Sequence, residues 1–97
     1  MVSINEELKA AKAAKAAISV LSKATPKSAV LATLGKANNA AILNLSSGGA
    51  LNEVRIRVGI ALSNVIHGMP TQEKIDKARH AVEAWIRELE AAEKPAA

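Results

Sequence analysis

Ile66-His67-Gly68-Met69-Pro70-Thr71 is the stretch that most constrains what this chain can fold into. Glycine just past an apolar run can take the left-handed conformation that ends a helix, proline forbids continuation, and threonine can cap whatever helix comes next. The segment therefore predicts a helix on each side of itself, and the chain reads as all-α.

The helix after this break has the cleanest period. Behind the Thr71 cap, from about Gln72 to Ala92, Ile75, Ala78, Val82, Trp85, Ile86 and Leu89 form one apolar stripe. On its outer face Glu73 with Lys77, and Glu83 with Arg87, stand four apart in the favourable acid-first order, and His80 follows Asp76 by four as a surface partner. At the other end of the chain, Ser3-Ile4-Asn5-Glu6 has the form of a capping box, opening a helix to about Lys23 with Ile4, Leu8, Ala11, Ala14, Ile18 and Leu21 on one side. Thr25-Pro26 restarts the chain into a short helix carrying Ala29, Val30, Leu31 and Leu34 and ended by Gly35. Residues 37–45 then read as a further helical piece, kept packed by Ala40, Ala41, Leu43 and Leu45 despite the Asn38-Asn39 pair. Ser46-Ser47-Gly48-Gly49 is a flexible break between the front of the chain and a two-helix back half.

Between that break and the Gly68 stop, two periods compete. Leu51, Val54, Val58, Ala61, Leu62 and Val65 recur at helical spacing, while Val54-Arg55-Ile56-Arg57-Val58-Gly59-Ile60 alternates as a half-buried strand would. We read a helix, since a strand would lack a partner and the Gly68 stop belongs to a helix; the alternative is an α+β fold with a strand at about 53–62. A helix here is apolar on two sides, with Leu51, Val54, Val58 and Leu62 inward and Ile56 and Ile60 opposite.

Composition sharpens this. Apolar residues make up 49% of 97 residues, but 21 are Ala and Trp85 is the only aromatic, so the core must be built from small aliphatic side chains that bury little area each. The expectation is one domain over 1–97, with 93–97 frayed, forming a small Ala-rich bundle of four or five helices completed by self-association. Ile56 and Ile60, flanked by Arg55 and Arg57, are the expected partner-binding residues; the partner is a second copy, giving a homodimer, or an acidic protein. Asn52 or Asn64, if buried between subunits, would fix the register.

Charge opens a second reading. Eight Lys/Arg face three acids in residues 1–67, against five facing six in 68–97, so the basic part is the front. Lys9, Lys12, Lys15, Arg55 and Arg57 could contact phosphates, making the chain a nucleic-acid-associated accessory protein. Specific base reading is weakly supported: a helix-turn-helix over 29–45 offers mainly Lys36, Asn38, Asn39 and Asn44, and Trp85 sits in an apolar stripe.

Catalytic chemistry finds little footing. With no Cys, disulfides and thiolate sites are excluded, and His67 and His80 lack metal-ligand spacing. His67 reads better as a residue interacting favourably with a helix C-terminus. The Ser46-Ser47-Gly48-Gly49 loop lacks the lysine and glycine spacing of a phosphate cradle. We therefore expect no enzyme activity, cofactor, metal or small-molecule substrate. The N-terminal residues lack the order of a signal peptide and no run is long enough to span a bilayer, so the expected location is cytoplasmic, with no membrane role.

Overall fold

In a computed structural model, residues 3–21, 28–45, 49–68 and 71–93 are described. They form four α-helices and, among the described residues, no strand: α1 (Ile4–Ser19), α2 (Ser28–Leu43), α3 (Ala50–Ile66) and α4 (Gln72–Glu93). Each helix packs on two others, α1 on α2 and α4, and α3 on the same pair, so α1 and α3 face each other across the core.

The capping signals were legible. Ser3 Oγ accepts from the Glu6 amide at 3.1 Å, and Thr71 Oγ1 accepts from the Lys74 amide at 3.2 Å, each satisfying one of the donors a helix start leaves unpaired. Inward positions follow at helical spacing: Leu8, Ala11, Ala14 and Ile18 on α1, Leu34, Ala37 and Ala41 on α2, and Ile75, Ala78, Val82, Trp85 and Leu89 on α4. Alanines where helices meet let neighbouring axes approach closely, and the larger side chains fill what remains.

Several expectations change. α1 ends at Ser19 rather than Lys23, with Val20 and Leu21 amides closing a tightened last turn onto Ala17 and Ile18 carbonyls. Gly35 does not end a helix: α2 runs through it without a break, merging the two short pieces, because flanking Leu34, Ala37 and Ala41 all bury on one side. At the far end of α2, Ala40 and Ala41 are buried as expected, but Ile42, Leu43 and Leu45 are exposed. The stretch at 53–62 lies wholly within α3, which disposes of the strand. Its buried set is Arg55, Val58, Leu62 and Val65, with Leu51, Val54 and Ala61 half-buried beside them. The apparent alternation arose because an arginine occupies a core position while two isoleucines occupy outer ones. The Thr25-Pro26 restart, the Ser46-Ser47-Gly48 break and residues 94–97 of the tail expected to fray fall outside the described residues, while Glu93 still belongs to α4.

Gly68 follows the C-cap His67 as expected, yet not through left-handed geometry, since among the described residues only Gly49, capping α3 at φ 92°, has positive φ. What Gly68 supplies is room: a Cβ there would stand 2.9 Å from Lys74 Nζ and 3.1 Å from the Asn64 carbonyl oxygen. Gly35 is the reverse case, with nothing within 4 Å of an added Cβ. Gly35→Ala is therefore expected to stabilise the protein by about 0.5–1 kcal/mol by removing the backbone entropy of a mid-helix glycine. Gly68→Ala is expected to destabilise it by roughly 1–3 kcal/mol through crowding. Urea titration followed by Trp85 fluorescence measures both.

Candidate functional site

Two places in this fold combine polar chemistry with an unusual environment, one inside and one at the surface. The inner one is built on Glu7. It falls in the core phase of α1, between Ile4 and Ala11, and its side chain is 0% exposed. Asn44 Nδ2 donates to Glu7 Oε1 at 2.7 Å; Arg55 Nη2 donates to the same oxygen at 2.7 Å and Arg55 Nε to Oε2 at 2.8 Å; Trp85 Nε1 donates to Oε2 at 2.7 Å. Four donors thus fill the four lone-pair positions of one carboxylate, two of them from the bidentate fork that only a guanidinium presents. The remaining reach of Arg55 goes to the Asn44 carbonyl, accepting from Nη1 at 2.9 Å. Three helices, α1, α3 and α4, and the residue that follows α2 therefore meet on one carboxylate.

Burial alone would push the Glu7 carboxyl up. Hydrogen bonds from Arg55, Asn44 and Trp85, together with the Arg55 charge, outweigh it and hold the carboxyl below its ordinary value of 4.5. The Glu7 side chain is closed to solvent and each of its acceptor positions is occupied.

Arg55 was expected at the surface, both beside a partner and on phosphates. It is instead 7% exposed and committed to Glu7 and Asn44, so its guanidinium is not presented at the surface. Asn44, considered for base reading, is likewise buried. Glu7 was not singled out, although a signal existed: Glu7 and Arg55 carry opposite charges in the core phase of two different helices, and a buried indole N–H needs an acceptor.

The outer place is the far side of α3. Ile56 and Ile60 are 47% and 61% exposed, directly away from Val58 and Leu62. Ile60 borders a groove of about 800 Å³ between α3 and α4, whose apolar lining includes Val54, Ala61, Ala81 and Ala84. Its rim carries the cations Arg57, Lys74 and Lys77, together with His80, and Glu73 is the one acid of the lining. Lys77 is paired to Glu73 at 3.2 Å, whereas Arg57 and Lys74 form no ion pair among the described residues. Asn64 is exposed on the same groove.

Lys9, Lys12 and Lys15 are exposed on α1, and Lys12 and Lys15 border a separate, shallower depression with Ile86 and Glu90, where Lys15 approaches Glu83 at 3.8 Å. Of the five cations proposed for phosphate contact, Arg55 lies in the interior, Arg57 borders the groove, Lys12 and Lys15 border the other depression, and Lys9 is exposed on α1 outside both. Asp76 engages Gln72 and Arg79 rather than His80, which lies 3.9 Å from Glu83. Among the described residues no three His or acidic side chains converge as metal ligands, and no helix is long and apolar enough to cross a membrane. No family model, curated protein or solved structure matches this chain, and the functional reading rests on the geometry.

A double-mutant cycle tests the inner cluster. Glu7→Leu or Arg55→Met alone is expected to cost about 3–5 kcal/mol, because each strands a buried charge or its donors. The double variant is expected to be far more stable than the sum of the two losses, which chemical denaturation would read directly. Acid provides a second check. Because the folded carboxyl lies below 4.5, the unfolded chain binds the proton more tightly, so the contribution of Glu7 to stability is full above about that value and is lost as pH falls through the lower folded value. A carbon-detected titration of Glu7 with a midpoint below 4.5, and a flatter acid limb of stability in Glu7→Gln, are the expected results.

Proposed function

We propose that this chain is a non-catalytic, cytoplasmic protein-interaction module whose contact surface is the outer side of α3, centred on Ile56 and Ile60 with Arg57 beside them. The observation that carries this reading is the pairing of inner and outer faces on one helix. Arg55, Val58, Leu62 and Val65 already bury the inner side, so the two uncovered isoleucines are not waiting for any part of the described core. Covering the exposed portion of each contributes roughly 1–2 kcal/mol, and an isolated pair of β-branched side chains one turn apart gives a helix-spaced anchor.

The small core supports the same reading. Among the described residues seventeen hydrophobic side chains are buried, seven of them alanine, so apolar surface left outside is a substantial share of what the chain has to offer. An adaptor, an inhibitor and a subunit of a homo-oligomer would all use such a face in the same way.

Replacing both isoleucines by Asp leaves the inner side of α3 untouched and should retain helix content and thermal midpoint. The expected outcome is loss of association. It is read by sedimentation equilibrium of the pure protein and by fluorescence anisotropy with a panel of amphipathic helical peptides. A wild-type chain that is monomeric and binds none of the panel, or a variant that behaves identically in both assays, refutes the assignment.

A further inference from the structure

The α3 surface continues into the groove beside it, and the two differ in chemistry. The groove runs along α3 from Val54 to Asn64 and along α4 from Glu73 to Ala84. At 1.5 Å per residue each wall is roughly 15 Å long, the length of about three helical turns. Its floor is narrow and smooth because three of the residues facing it are alanines, Ala61, Ala81 and Ala84. Small side chains on two adjacent helices leave a channel into which the ridge of a third helix fits at ordinary interaxial distance. Val54 and Ile60 supply larger apolar contacts along the α3 side.

The rim determines which helix. Lys74 and Lys77 stand one turn apart on α4, and Arg57 faces the groove from α3. Against these three cations the lining offers Glu73 alone, which is engaged by Lys77. Arg57 and Lys74 therefore present unneutralised charge beside an apolar floor. A second copy docking groove to groove would bring this rim against itself, and like charges across an interface oppose association. A nucleic-acid duplex would satisfy the cations but has no apolar ridge to cover Val54, Ile60 and the alanines.

Resting on the contact-surface reading above, we propose that the α3–α4 groove receives an acidic amphipathic helix from a partner protein. Its apolar ridge lies on Val54, Ile60, Ala61, Ala81 and Ala84, and carboxylates flanking that ridge pair with Arg57, Lys74 and Lys77. The rim charges set which helix is accepted, and the floor supplies the area that drops out of water.

The test uses a labelled peptide of roughly 14 residues, about four turns, with leucine at helical spacing and glutamate on both flanks. A twin peptide carries lysine in place of glutamate, and a duplex oligonucleotide serves as a third probe. Fluorescence anisotropy should show the acidic peptide binding the wild-type protein more tightly than the basic twin, with the preference shrinking as salt rises. In the Arg57→Glu/Lys74→Glu variant the acidic peptide should weaken by about tenfold or more and the basic twin should gain. Asn64→Trp, which fills the groove mouth without altering charge, should weaken the acidic peptide as well. Circular dichroism and its thermal melting curve establish that both variants are folded. Equal binding of both peptides, lost in Ile60→Asp but indifferent to the charge reversal, overturns the acidic partner and leaves the contact surface standing. If neither peptide binds while Ile56→Asp/Ile60→Asp still changes the sedimentation mass, the groove proposal falls and self-association through α3 remains. Duplex binding that outcompetes the acidic peptide and is lost on charge reversal overturns it in favour of nucleic acid.

Discussion

A carboxylate with no water around it has to find a donor for each lone pair, and Glu7 finds them on elements far apart in the chain: Asn44 at the end of α2, Arg55 on α3 and Trp85 on α4. That requirement is directional in a way that apolar packing is not. Alanine and leucine faces tolerate a shift of one helix along another by a turn, because the groove one turn on is nearly equivalent. A guanidinium fork meeting two carboxylate oxygens does not tolerate it. In a core where Ala11, Ala14, Ala37, Ala41 and Ala78 offer little shape to distinguish one register from another, the polar cluster fixes how the helices stand relative to one another. Its net contribution to stability is modest once desolvation is subtracted, whereas its loss by halves is costly.

The cluster also bears on the surface. Turning Arg55 inward sets the rotation of α3, and with that rotation fixed, Val58, Leu62 and Val65 follow it into the core while Ile56 and Ile60 are carried to the opposite side. Rotating α3 to hide the isoleucines would carry the Arg55 guanidinium away from its partner and strand Glu7 among apolar groups. The same rotation places Arg57 and Ile60 on the edge that faces α4, where Lys74 and Lys77 complete the rim of the groove. The interior ion pair and the outer contact face are in this sense one arrangement viewed from two sides of a helix.

Much of the fold was readable from local pattern. The Ser3 and Thr71 caps, the α4 stripe through Trp85, the helical nature of the middle segment and the outward placement of Ile56 and Ile60 all depend on spacing and on side chains within a few residues of each other. The failures have a common origin. Gly35 looked like a terminator because its intrinsic preference is poor, but burial of Leu34, Ala37 and Ala41 outweighs a cost of about 1 kcal/mol. Arg55 looked like a surface cation because charge ordinarily stays in water, and its acceptors lie 48 and 11 residues away. Leu43 and Leu45 looked buried because they are apolar, yet no described element covers them.

From its residues alone, the chain determined where helices begin, which of their faces are apolar, that the core must be assembled from small side chains, and that α3 has more apolar surface than one neighbour can use. Those properties follow from short-range rules of capping and periodicity. Tertiary structure decided which polar groups go inside, which of two apolar faces of α3 is covered, and that Arg57, Lys74 and Lys77 share a groove. Each of these depends on distances between residues remote in sequence, and a buried charge is stable only where its partners converge, a condition met in space and written in no single segment.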